Sequence, residues 1–165
     1  MPHFQAIIEQ KERLREALLR NQTVVDLLVN TGDNMLDFEH VRLGSKSPAA
    51  ALIKKHFYVP NTAQTDQNFI TMRSRVIYTD TDVIKEVSLV VYVICNEHQI
   101  DLAQGSRADL LANEIDQILN QGQNPLFGLG GVRLGVAEEV QFAEGFSGWQ
   151  IPFVTHEFNR RAELL

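Results

Sequence analysis

A single cysteine, Cys95, in a chain of 165 residues excludes an intramolecular disulfide and any zinc site built from several cysteines. Long apolar runs are also missing: no stretch approaches the roughly 18 residues that crossing a bilayer requires. The opening MPHFQAIIEQKERLREALL has no basic region followed by an apolar one, so no secretory signal is expected. Positive charge is in deficit, with 15 Lys and Arg against 21 Asp and Glu, a net −6. That balance disfavours broad attraction to nucleic acid or anionic membranes and leaves room only for a local basic patch. No repeat, low-complexity tract or linker divides the chain. The remaining composition, 44% apolar and 22% charged, suits one soluble, intracellular globular domain over residues 1–165.

Residues 1–60 read as the helical part. Ile7, Ile8, Leu14, Leu18 and Leu19 space one helical face, with Lys11 interrupting, and a second short helix runs through 24–29. Ser47 caps and Pro48 opens a short helix, AAALIKKH. The polar stretch 60–68 reads as an exposed, mobile loop.

The periodicity then changes to two. Ile70, Met72, Val76 and Tyr78 share one face of FITMRSRVIYT, with Thr71, Arg73 and Arg75 on the other. After a turn signal at TDTD, Val87, Leu89, Val91, Val93 and Cys95 make an apolar face. The opposite face, Glu86, Ser88, Val90, Tyr92 and Ile94, becomes apolar along its length and needs partial cover, from this chain or another subunit. Residues 104–120 predict a helix with Ser106 as cap and Asp109 as capping-box acid. Its buried stripe is Ala108, Leu111, Ala112, Ile115, Ile118 and Leu119; Arg107, Asp109, Asn113, Glu114 and Gln117 stay wet. VRLGVAEEVQF alternates as one strand, EGFSG turns, and WQIPFVTHEFN returns as a strand that Pro152 places at an edge or a bulge. The expected fold is α+β: a mostly antiparallel sheet of about four strands (69–79, 84–96, 131–142, 149–158), one amphipathic helix on a face, and further N-terminal helices.

Sites of chemistry are few. FGLGGVRLG carries four glycines in nine positions, yet a dinucleotide loop needs glycine where Arg133 stands and leads from strand into helix. Here the order is helix, then strand. GFSGW approaches a nucleophile elbow, but Trp149 replaces its last glycine and strands flank it, so Ser147 reads as a turn residue. Cys95 reads as a small buried hydrophobe. Glu138 and Glu139 leave opposite faces of a strand, and Glu138, on the apolar side, implies a bulge or a raised-pKa acid. His3, His40, His56, His98 and His156 lack metal-ligand spacing and read as solvated surface. No catalytic residue, metal or cofactor is expected. Arg73 and Arg75, side by side in an acidic chain, suit either cross-strand carboxylates or an acidic surface on another protein.

The order of EVSLVVYVICNE, GSRADLLANEIDQILN, GLGGVRLGVAEEVQF and WQIPFVTHEFN resembles the small tail-terminator (tail-completion, head–tail joining) proteins of long-tailed phages and prophages. The resemblance covers roughly residues 69–159 and rests on element order. It implies a structural, non-enzymatic subunit that forms a ring, a hexamer, on the tail tube and presents a surface to the head connector. It further implies that the protein is made in the cytoplasm of the bacterial host and ends in the virion tail. Arg73, Arg75, Val90, Tyr92 and Ile94 are then the candidate interaction residues. Two other readings remain open. One is a small-molecule binding or hydrolytic domain whose pocket is lined by Trp149, Phe153, Tyr92 and Glu138; the other is a different neck or baseplate component.

Overall fold

The computed structural model describes residues 4–61, 66–78, 84–120 and 129–158. Two helices open the chain, α1 (Gln5–Arg20) and α2 (Gln22–Val29). Asn21 separates them: its extended backbone ends α1, and its side chain accepts from the Val24 amide at 3.0 Å to cap α2. Leu14, Leu18 and Leu19 are buried as the spacing requires, whereas Ile8 lies outside the core.

Ser47 does cap, accepting from the Ala49 amide, but the helix it opens lasts one 3-10 turn, Pro48–Ala51. The β-branched Ile53 then begins a strand, β1 (Ile53–Lys54), which pairs parallel with β2 (Phe69–Tyr78). Tertiary pairing overrides the local helical run of alanines here. Of the expected mobile loop 60–68, residues 62–65 lie outside the described residues. Asn68 is buried: its side chain accepts from the Asn96 amide at 3.0 Å and donates to Gln99. The TDTD turn also lies outside the described residues.

β2 pairs antiparallel with β3 (Ile84–Asn96), and β3 pairs along its whole length with β8 (Phe146–Phe158). Between them in sequence come the short hairpin β4 (Asp101–Leu102) and β5 (Gly105–Ser106), α3 (Arg107–Leu119), β6 (Leu129–Leu134) and β7 (Glu138–Ala143). The main sheet has six strands in the order β1-β2-β3-β8-β6, with β7 also on β8. The fold is a single-domain α+β arrangement with a mostly antiparallel sheet.

The expected strand 131–142 is therefore two strands, broken at 135–137. Between the pairs Leu134↔Phe153 and Glu138↔Gln150 the outer chain carries one residue more than β8. This extra residue resets the alternation, so Glu138 is exposed instead of buried. Pro152 faces the break. β8 is not an edge strand, since it lies between β3 and the β6–β7 pair. The Pro152 carbonyl accepts from the Gly135 amide at 2.7 Å, and its missing N–H points to the same side, where the outer ladder is interrupted. The turn before β8 is only Glu144–Gly145, with Gly145 at φ +81°. Ser147 accordingly sits in β8, paired with Cys95 and Gln141, and is not a turn residue.

Register puts Ile70, Met72, Leu89, Val91, Val93, Cys95, Trp149, Ile151 and Phe153 on one face of the sheet. α3 covers this face with Leu111 and Ile115, and α1 and α2 pack against α3. The apolar stripe of α3 is buried as expected, but its start differs. Ser106 makes no side-chain cap, and Asp109 turns instead to Trp149. Arg107 is not wet: it is fully buried. Its guanidinium donates to the carbonyls of Leu27, Gly32 and Gln99 and lies 5.5 Å from the Phe38 ring. One side chain thus ties α2, the loop after it and the β4–β5 region together.

Candidate interaction face

The second face of the sheet carries Thr71, Arg73 and Arg75 beside Ser88, Val90, Tyr92 and Ile94, with Gln150 and Pro152 beyond. Pairing sets Arg73 opposite Val90 and Arg75 opposite Ser88. Two residues apart on one strand, the arginines project from the same face about 7 Å apart. Both are exposed, and neither forms an ion pair among the described residues. With Ser74, Val90, Tyr92 and Gln150 they line an open depression of about 380 Å³.

The apolar half of this face is covered by the chain itself. The Phe57 ring lies 4.7 Å from that of Tyr92, and Phe142 meets Tyr92 edge-on at 5.9 Å. Tyr92 is 6% exposed and Ile94 is fully buried. Tyr92 and Ile94 therefore do not form a free apolar patch; Val90, half-buried, is the accessible apolar residue of the five named from sequence. The segment 55–59 supplies the cover that the half-apolar strand required.

On the helix side a groove runs between α3 and β8. Trp149 Nε1 donates to Asp109 Oδ1 at 2.6 Å and divides it. One part, about 260 Å³, lies among Ile100, Ser106, Glu139 and Gln141; the other, about 220 Å³, lies among Ala112, Asp116, Leu134 and Ile151. Asp109, Asp116 and Glu139 put three carboxylates along this seam. The pocket expected from Trp149, Phe153, Tyr92 and Glu138 does not assemble. Trp149 and Phe153 lie on the helix face, Phe153 within the core, while Tyr92 lies on the opposite face and Glu138 is exposed.

The remaining reactive groups have structural surroundings. Cys95 is fully buried, and burial pushes its thiol pKa up to about 12. Asp26 is buried in α2 and accepts from Gln22 Nε2 and the Val41 amide, each at 2.8 Å, with His40 Nδ1 at 2.8 Å. His40 is thus exposed yet paired. Among the described residues no cluster of three or more His, Cys, Asp or Glu could hold a metal. Among them, too, no helix is long and apolar enough to cross a membrane. The glycine run leads from α3 into β6, opposite in order to a phosphate loop. Residues 121–128, with its first two members, lie outside the described residues.

Two partnerships escaped the sequence. Arg107 follows a serine at the helix start like any wet first-turn residue, and its acceptors are backbone carbonyls that leave no mark in side-chain pattern. The Trp149–Asp109 bond joins residues 40 positions apart. The chain's one tryptophan, set among turn-type residues, was the only signal for it.

No curated protein matches the chain. A family described as YomW matches residues 21–155, from the cap of α2 into β8. The name is of a type given to Bacillus phage and prophage proteins and suggests a phage-associated protein. With α2, the hairpin, α3 and most of the sheet inside that match, the chain belongs to the YomW family.

Proposed function

We propose that this protein is a structural subunit of a phage tail: a terminator that caps the tail tube as a ring and joins it to the head connector. The observation that carries the reading is an exposed arginine pair, unpaired among the described residues, on a phage-type α+β subunit of net charge −6. A guanidinium pair beside half-buried Val90 suits an acidic protein surface, because planar donors pair with carboxylates and Arg is enriched at interfaces. The work of such a subunit is binding, with no catalytic step and no cofactor. Its partners are further copies of itself, the tube protein and the connector protein, met in the host cytoplasm and kept in the virion tail.

The test is negative-stain electron microscopy of the protein with purified tail tubes, together with sedimentation of the protein alone. The expected result is a ring at one end of each tube and arrest of tube growth. A protein that stays monomeric at high concentration and leaves tube ends bare and growing would overturn the reading.

A further inference from the structure

We infer that the face carrying Arg73 and Arg75 docks onto the acidic groove between α3 and β8 of a second copy of this chain. The inference rests on the ring reading above and adds which two surfaces meet. A closed ring repeats one head-to-tail contact, so each subunit must present two different, complementary patches. The two surfaces lie on opposite sides of one sheet: the arginines on the face away from α3, the groove on the face beneath it.

Their charges match. The arginines have no ion-pair partner among the described residues, and no Lys or Arg pairs with Asp109, Asp116 or Glu139 there. Asp109 and Asp116 lie two helical turns apart on α3, a separation of about 10.5 Å. Two long side chains rooted roughly 7 Å apart can reach both. The apolar parts match as well. Half-buried Val90 pairs with Arg73, and exposed Phe57 packs on the neighbouring Tyr92; Leu134, 43% exposed, lines the groove. Subunits of net charge −6 repel at long range, so a local cation pair facing a local acid row sets the register of approach.

Charge reversal tests the contact. One variant carries Arg73→Glu with Arg75→Glu; the other carries Asp116→Lys with Glu139→Lys. Asp109 is left in place because it holds Trp149. Each variant alone brings like charges together, and its self-association in sedimentation velocity should weaken by about tenfold or more. In an equimolar mixture a reversed face meets a reversed groove, and a native face meets a native groove. Assembly should then return, in rings with an even number of alternating subunits. That restoration also demonstrates that both variants fold. If the wild type forms rings and either variant does so equally well, or the mixture fails to restore assembly, this contact is overturned and the ring reading survives. An arginine variant that forms rings but no longer joins tubes would assign the face to another protein and overturn the contact too. A wild type that is monomeric with and without tubes removes both.

Discussion

Trp149 donates its indole nitrogen to the Asp109 carboxylate at 2.6 Å, fastening the first turn of α3 to the first part of β8. Asp109→Ala should cost about 1–2 kcal/mol in urea denaturation, since a hydrogen bond to a charged group is lost where water can partly replace it. As Trp149 is the only tryptophan, its emission should shift to longer wavelength in that variant. Asp116→Ala, on the same groove without a bond to the indole, should leave the emission unchanged. Equal spectra for Asp109→Ala and wild type would show that the bond is absent in solution.

Arg107 has three backbone carbonyls as acceptors, and among the described residues no carboxylate accepts its donors. Burial lowers its pKa, a cost the carbonyls and the Phe38 ring offset. Arg107→Ala leaves a cavity and three carbonyls that lose their donor, so it should destabilise by about 3–5 kcal/mol. Arg107→Lys keeps the charge but loses the planar fork and should recover only part of the loss. Chemical denaturation of the two variants decides it; a fully stable Lys variant would show that charge alone suffices.

Asp26 sets the sign of one pH dependence. Burial raises its carboxyl pKa, but the Val41 amide, His40 and Gln22 outweigh burial and hold it below the usual value. The unfolded chain then takes up the proton first as pH falls. The stabilisation is complete above the ordinary Asp value of about 3.9 and is lost as pH falls through the lower folded value. Urea midpoints measured from pH 6 down to pH 2 should fall, and Asp26→Asn should flatten part of that slope. Parallel slopes for the two proteins would remove Asp26 from the acid response.

Gly148 sits in β8 opposite Ile94 of β3. A Cβ added there would lie 1.8 Å from the Val93 carbonyl oxygen, a backbone atom that cannot swing aside. Gly148→Ala should therefore destabilise by about 3 kcal/mol or more. Gly32→Ala, whose added carbon would meet only the Phe38 ring at 3.7 Å, should cost less than about 1 kcal/mol. Thermal melts that place the two variants level would contradict this packing of β8 on β3.

The sequence by itself determined the α+β class, the hairpin of β2 and β3, the buried stripe of α3 and the burial of Cys95. Periods of 2.0 and 3.6 residues are local geometry, so they can be read without knowing any partner. It also placed Arg73 and Arg75 together on one face, because alternation along a strand does not depend on what lies beside it. Tertiary structure decided the rest. β8 became a central strand that accommodates Pro152 because β6 and β7 break opposite it, a compensation visible only when both chains are side by side. Ile53 left a helical run because β2 offered it a pairing partner. Tyr92 lost its free surface to Phe57 and Phe142, which arrive from distant parts of the chain, and Ile94 is fully buried. Arg107 turned inward because three carbonyls from two other segments converge on it, and no side-chain pattern records where a carbonyl will point.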